Sequence, residues 1–453
     1  MATHGPAPLS GFPELLPGDR MVEAQIIDGL RRTFELHGFA PIETRAMEPV
    51  ERLTGGGDVD KEIYAVRRLA EVESLESDAG LGLHFDLTVP FARYVLENAG
   101  KLEFPFRRYQ IQKCWRGERP QAGRYREFTQ ADIDIVARGD LPFHHDVEVA
   151  SVMAQALAAL PVPALRLQIN NRKLLQGFLQ GIGAPDIAAA MRVIDKMDKV
   201  SANVVGELLR TDAGLSDKQA RSCLEVACIR TTDTSFVAQV RGLGVHDDLL
   251  DEGLAELAAV MEGCAGVAPG RVGVEADLRI ARGLDYYTGT VFETRLSGYE
   301  SLGSICSGGR YDSLASDGRT TYPGVGISLG VSRLLVPLFA DGILAASRSV
   351  PSAVLVAMAD EQSRHTSAVV AQALRARGIS TEIAASADKY GKQIRSAQRR
   401  GIPYVWFPAT APEAAHEVKD IRSGDQVAAD PNTWLPPEVD LTPQIISTPQ
   451  PAE

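Results

Sequence analysis

Within residues 114–135, CWRGERPQAGRYREFTQADIDI, four arginines (Arg116, Arg119, Arg124, Arg126) stand beside Glu118 and Phe128. Guanidinium groups at this density repel one another unless anions intervene, and the planar fork of arginine matches phosphate oxygens two at a time. The chemistry suggested is the gripping of a polyphosphate. Surface ion pairs in a solvated loop are the bland alternative.

Three further segments carry candidate groups. In HFDLTVPFARY (84–94), Asp86 and Thr88 alternate with apolar neighbours, which predicts one shared strand face. An acid in such a setting is buried only if paired. RGLDYYTGTVFE (282–293) holds Arg282, Tyr286 and Tyr287, with Gly283 and Gly289 read as turns between strands. GVGISLGVSRLLVPL (324–338) carries Arg333 where a strand pattern gives way to a helical one. Its glycines run Gly-x-Gly-x-x-x-Gly and no acid follows at the distance a dinucleotide fold requires, so a dinucleotide site is not indicated.

Taken together these segments resemble the histidyl-tRNA synthetase family of the class II aminoacyl-tRNA synthetases. Residues 114–135 resemble the second class II motif, 324–338 the third, and RGLDYYTGTVFE with SGGRYDSL (307–314) the signatures peculiar to the histidine enzymes. HGFAPIET (37–44) resembles the first motif, with Arg45 where the family usually has proline. The resemblance implies an ATP-dependent ligase that forms histidyl-adenylate, transfers histidine to tRNA(His), and releases AMP and pyrophosphate. By it, Arg116, Arg282 and Arg333 are the catalytic set. Asp86, Leu87, Thr88, Arg116, Gln130, Asp134, Arg282, Tyr286 and Tyr287 hold L-histidine, with Asp134 and Tyr287 meeting the imidazole. Arg116, Glu118, Arg124, Phe128 and Arg333 hold ATP. Mg²⁺ is expected to arrive with ATP, without a dedicated protein metal site, and motif 1 implies a homodimer. Gly308-Gly309 is expected to make a tight turn against the pocket.

The elements that must position these groups follow from patterning. Residues 20–37 repeat apolar positions at helical spacing (Met21, Ile26, Ile27, Leu30, Phe34) and stop at Gly38. FAPIET reads as a strand; 84–100 reads as a strand, a turn at Pro90 and a helix. Residues 104–136 read as two antiparallel strands around the arginine loop. A helical stretch, about 172–265, interrupts a sheet completed by VGVEADL, TVFETRL and GVGISLGV. Alternating strands and helices follow from residue 350. The expected fold is α+β: a class II antiparallel sheet flanked by helices over 1–345, with a helical insertion, then an α/β domain over 350–432. By resemblance that second domain binds the anticodon, through Lys389, Lys392 and Arg395. Residues 433–453, rich in proline, read as a loose tail.

Bulk properties constrain partners. A chain of 453 residues exceeds one ordinary core. The formal charge of −12 argues against general nucleic-acid binding, and DNA is not an expected partner. The run from Lys389 to Arg400 has five cations and no carboxylate, enough for a local tRNA contact. Five scattered cysteines without a Cys-x-x-Cys pair suit reduced thiols in the cytoplasm, and no apolar run predicts a membrane span. Two relatives of the fold lack the chemistry: a regulatory paralogue of a phosphoribosyltransferase and a tRNA-sensing module. Both lose the arginines that this chain retains.

Overall fold

The computed structural model describes residues 7–54, 61–69, 80–198, 200–267, 270–281, 287–411 and 413–448. The chain divides into two compact units, Met1–Pro13 with Ile27–Pro337, and Glu14–Ile26 with Leu338–Glu453.

Helix α1 (Pro17–Leu36) begins on a proline, whose missing N–H costs nothing in a first turn, and is followed by Gly38 at φ +76°. Strands β1 (Ala40–Pro41) and β2 (Met47–Pro49), helix α2 (Val50–Leu53), and strands β3 (Ala65–Val66) and β4 (Leu81–Leu83) come next. Helix α3 (Thr88–Asn98) leads to the long hairpin of β5 (Phe106–Trp115) and β6 (Glu127–Val136). After α4 (His144–Ala158) and β7 (Leu165–Asn171) the chain enters helices α5 (Arg172–Gly181), α6 (Ile187–Ile194), α7 (Ala202–Thr211) and α8 (Asp217–Ala227). A two-residue strand, β8 (Arg230–Thr231), punctuates this expected helical insertion before α9 (Phe236–Gly242) and α10 (Asp248–Cys264). Strands β9 (Val272–Asp277), β10 (Tyr287–Leu296), β11 (Cys306–Ser316) and β12 (Thr321–Gly330) run into α11 (Val331–Ala340).

Nine strands form one sheet in the order β1-β5-β6-β12-β11-β10-β7-β9-β8, antiparallel except for β1 beside β5 and β7 beside β9. One face is apolar: Ile133, Ile135, Ile327, Leu329, Phe292, Leu167 and Ile169 are buried there, and α4 and α10 pack on the sheet. On the other face a single register line joins Gln110, Asp132, Ser328, Ser307, Glu293, Gln168 and Glu275 across seven strands. Polar residues recurring at every second position of β5 and β6 therefore mark a working face that faces away from the main core.

Asp86 and Thr88 do not share the expected strand face. The strand β4 ends at Leu83 and Thr88 already opens α3, because Pro90 fits the first helical turn, where its missing N–H is not needed. Asp86 Oδ1 accepts the Val89 N–H at 3.1 Å and so serves that first turn. Gly308, Gly309 and Gly289 do not make turns but lie within β11 and β10. A Cβ on Gly308 would sit 2.1 Å from Gly326 O, and β10 bulges against β11 between Tyr287 and Val291. These glycines permit close backbone approach. Gly283 lies outside the described residues.

The second unit contains β13 (Leu344–Ala346), β14 (Val354–Val356), α12 (Arg364–Ala376), β15 (Thr381–Ile383), α13 (Tyr390–Arg400), β16 (Tyr404–Phe407), β17 (Glu417–Asp420) and β18 (Gln426–Ala428). Its sheet runs β15-β14-β16-β17-β18 around the fully buried Trp406. The expected loose tail is instead folded as far as residue 448. Helix α14 (Glu438–Leu441) follows the Trp434 ring, which lies edge-on to Tyr404 and Trp406, and β19 (Ile445–Ser447) pairs with β13. Aromatic burial, absent from a solvated tail, supplies the reason.

Candidate active site

The arginine loop is held between β5 and β6. Its crossing is fixed by the Arg116 N–H donating to Arg126 O at 2.9 Å and by a tight turn from Gln121 to Arg124. Gly123, at φ +70°, lets this turn approach Arg333; a Cβ there would meet Leu302 at 2.9 Å and Arg333 at 3.3 Å. Ser332 Oγ accepts the Thr129 N–H at 2.8 Å, fastening the start of α11 to β6. The result is an open cleft whose lining includes Arg116, Glu118, Arg124, Phe128, Gln130 and Arg333.

Within it, Arg116 donates from Nε to Phe85 O at 2.9 Å, and its guanidinium carbon lies 5.0 Å from the Phe128 ring centre. Arg124 pairs with Glu118 at 3.1 Å. Arg333 donates from Nη2 to Leu302 O, while its Nε has no hydrogen-bond partner among the described residues. Burial, and then the charges of Arg124 and Arg116, pull the Arg333 pKa below its ordinary value. Three cations with too few carboxylates around one cleft form a site that is relieved by an anion.

Beside the arginines lies a buried acidic pocket. Asp134 sits directly across the strand pair from Arg108, with Arg108 Nη2 2.6 Å from Asp134 Oδ2, and it accepts the Tyr311 hydroxyl at 2.8 Å. Burial pushes Asp134 up to about 7, against the opposing pull of Arg108. Burial likewise pushes Asp86 up to about 6, opposed by the Val89 N–H and Arg116. Gly326 on β12 makes the space: a Cβ there would stand 2.1 Å from Asp134 Oδ1. Gln130 donates to Ser328 Oγ, leaving its buried Oε1 without a hydrogen-bond partner among the described residues, as is Asp86 Oδ2. Two orphaned acceptors suit an ammonium group.

The structure thus gathers Arg116, Glu118, Arg124, Phe128, Gln130 and Arg333 in one cleft, and puts Asp134 four residues on from Gln130 along the same face of β6. Thr88 is half-buried at the start of α3, whereas the Leu87 side chain is wholly buried in the core, leaving only its backbone for a ligand. Tyr287, half-buried, lies across the strand pair from Tyr311 and packs against the cluster that contains it. Arg282 and Tyr286 lie outside the described residues. Sequence reasoning missed Arg108, Asp132, Tyr311 and Ser328. The alternation of Arg108, Gln110 and Gln112 with Gln130, Asp132 and Asp134 was the available signal.

In the second unit Lys389, Lys392, Arg395 and Arg399 are exposed at or along α13, with Gln393 and Ala397 on its buried side. Lys392 pairs with Asp388 at 2.9 Å and Arg400 with Glu382.

A nine-stranded antiparallel-rich sheet, an arginine hairpin loop and a strand-to-helix step carrying Arg333 define the catalytic domain of a class II aminoacyl-tRNA synthetase. Residues 11–334 match the family model for histidyl-tRNA synthetase and residues 353–429 that for an anticodon binding domain. The chain belongs to the histidyl-tRNA synthetase family. It is 58% identical to the histidine–tRNA ligase of Cutibacterium acnes, covering 97% of this chain and 99% of that one. It is 57% identical to that of Micrococcus luteus, covering 97% and 98%. The crystal structure of histidyl-tRNA synthetase from a Nostoc species superposes with a TM-score of 0.83 at 32% identity, covering 94% of this chain and 97% of that one. An ATP phosphoribosyltransferase regulatory subunit/histidyl-tRNA synthetase from Bacillus halodurans shares the fold at 21% identity and a TM-score of 0.70, covering 87% and 97%.

Proposed function

We propose that this chain attaches L-histidine to tRNA(His) in two steps. The histidine carboxylate attacks the α-phosphorus of ATP, the bond to the bridging oxygen breaks, and pyrophosphate leaves. A terminal ribose hydroxyl of the tRNA then attacks the carbonyl of histidyl-adenylate and AMP leaves. The observation that carries this reading is the meeting of Arg116, Arg124 and Arg333 with Gln130 in one cleft, on a strand that also carries Asp134 bonded to Tyr311.

Arg116 is assigned the charge that develops on the α-phosphoryl oxygens, which it stabilises. Arg282 is assigned the facing position on sequence grounds. Arg124 and Arg333 hold the terminal phosphates, Phe128 stacks on adenine and Glu118 accepts from its amino group. Asp86, Thr88 and the orphaned Gln130 oxygen receive the α-ammonium. Asp134 accepts the imidazole N–H, and Tyr287 meets the other ring nitrogen. Tyr286 lines the same pocket. Among the described residues no side chain stands as a general base, so positioning and electrostatics supply the acceleration.

A magnesium ion carried by ATP fits the cleft. Such ions keep most of their water and take one or two carboxylates besides phosphates. The buried Glu293 lies close enough for its charge to act on Arg333. It would offer the ion a carboxylate, and the ion's charge would neutralise the departing phosphates.

Lys389 and Arg395 at α13 are the guides for tRNA, and Lys392 contributes once it leaves Asp388. We place the enzyme in the cytoplasm as a homodimer built on the segment resembling motif 1. Histidine-dependent exchange of labelled pyrophosphate into ATP, followed by charging of tRNA(His), tests the reading. Absence of exchange with histidine, or equal exchange with other amino acids, rejects it.

A further inference from the structure

Arg108 is a fully buried guanidinium that the two-step reaction does not use. Burying such a charge is costly, and an apolar side chain of similar volume would pack better in most cores. Hydrogen bonding does not account for it. Its Nη1 donates to Gln110 Oε1 at 3.3 Å, but Nε and Nη2 have no aligned hydrogen-bond acceptor among the described residues. Its contacts are electrostatic: Asp134 Oδ2 at 2.6 Å, Asp132 Oδ2 at 3.9 Å, and the Phe91 ring, whose centre is 4.3 Å from the guanidinium carbon.

We propose that Arg108 is a positioning residue for histidine: it holds Asp134 as an oriented carboxylate, so that the pocket selects a ring able to donate an N–H. This rests on the ligase reading above and adds the group that sets the state of its specificity residue. The surroundings of Asp134 make such a group necessary. Asp132 on the same strand and Asp86 before α3 both oppose its ionisation, and so does burial itself. From β11, Tyr311 donates its hydroxyl, and its own ionisation is pushed up by burial and by Asp134. Tyr287 on β10 faces Tyr311, β12 presents only Gly326 and Ser328, and α3 presents the uncharged Phe91. Among the described residues, Arg108 on β5 is thus the cation in contact with Asp134; Arg116 acts on Asp86 and Asp132. A protonated Asp134 would turn a donor toward the ring N–H, and the specific contact would be lost.

The test compares wild type with Arg108→Met, which removes the charge at similar volume, and Arg108→Lys, which keeps it. The first readout is the histidine and ATP KM of pyrophosphate exchange from pH 6 to 9. The second needs no ligand: carbon-13 NMR of the Asp134 carboxyl, assigned by its disappearance in Asp134→Asn. Removing an opposite charge in contact should raise the Asp134 midpoint by about one pH unit or more. Histidine KM should then rise about tenfold near pH 7, with the loss shrinking toward pH 9. ATP KM should stay near wild type, and Arg108→Lys should retain most of the histidine affinity. Should Arg108→Met not fold, Arg108→Gln carries the same comparison. An unmoved Asp134 midpoint, or a loss equal at every pH and for both substrates, overturns the proposal and leaves Arg108 a packing residue. If the Asp134 midpoint moves while wild type shows no histidine-dependent exchange, the ligase reading fails and the positioning role falls with it, although the ion pair stands.

Discussion

Arg333 sits in a field that disfavours its own charge, created by burial and by Arg124 and Arg116. Such a residue is expected to cost stability in the free enzyme and to return it when phosphate arrives. Arg333→Met should therefore lose about a hundredfold or more in pyrophosphate exchange while unfolding at the same or a higher temperature without ATP. Wild type should gain thermal stability on adding ATP and the variant should not; a variant markedly less stable without ligand would show the residue to be structural. Asp134 gives a second signature. Its native pKa of about 7 lies above the ordinary 3.8, so between those values the native state holds more protons than the unfolded one. Its burial thus costs stability above about pH 7, and that cost fades as pH falls; Asp86, at about 6, acts in the same direction. Thermal stability of the free enzyme should rise from pH 8 to pH 6 while histidine affinity falls, because the carboxylate acceptor is lost. Parallel trends in melting and in titration calorimetry would contradict this. The arginines and Asp134 were legible because several occur in dense or recognisable strings. Arg108 was not, since a charge in a strand is expected to face water until the register sets it opposite Asp134.

At the scale of elements, the long hairpin, the insertion and the strand-to-helix step at Arg333 follow from periodicity, which sequence displays directly. What periodicity cannot display is how close two strands come. Gly308 and Gly309 look like a turn in the sequence, yet they lie in a central strand of the sheet where neighbouring backbone and the Tyr287 ring fill the space of a Cβ. Pro90 misleads similarly, because a proline signals either a turn or the first turn of a helix. The glycines yield a paired prediction. Gly326→Ala places a methyl 2.1 Å from Asp134 Oδ1 and should destabilise by about 1–3 kcal/mol while weakening histidine binding more than ATP binding. Gly29→Ala, inside α1 with nothing within 4 Å of the added carbon, should instead stabilise by about 0.5–1 kcal/mol. Chemical denaturation reads both; equal effects would refute the packing argument.

For the whole molecule, length indicated more than one domain, and the α/β pattern after residue 350 located the second, but two features required the structure. The basic run proved unequal: Arg395 is exposed, whereas Lys392 is paired with Asp388. Arg395→Ala should raise the KM for tRNA more than Lys392→Ala does, with pyrophosphate exchange unchanged in both; a change in exchange would place the tRNA contact elsewhere. The proline-rich end is the other feature. Low periodicity suggests disorder because a tail is judged by its own sequence, yet this one folds through contacts supplied by its unit. Trp434 lies 5.2 Å from the Tyr404 ring centre and 5.5 Å from that of Trp406. Asp440 accepts the Tyr404 hydroxyl at 2.8 Å and pairs with Arg422 at 2.7 Å, while its carbonyl takes an N–H of the buried Arg348 at 2.8 Å. Ending the chain at residue 431 would uncover Trp406 and leave Tyr404, Arg348 and Arg422 without these partners. Each aromatic pair is worth about 0.5–1.5 kcal/mol beyond its buried area, and each buried polar group left unsatisfied costs about 1–3 kcal/mol. For a unit of this size the truncation should lower its melting temperature by more than about 5 °C. Asp440→Asn should produce a smaller loss, since it keeps the backbone contact and the Trp434 packing but removes the charge facing Arg422. Calorimetry of the full-length and truncated chains decides the matter: an unchanged transition would return residues 433–448 to the status of a passive tail.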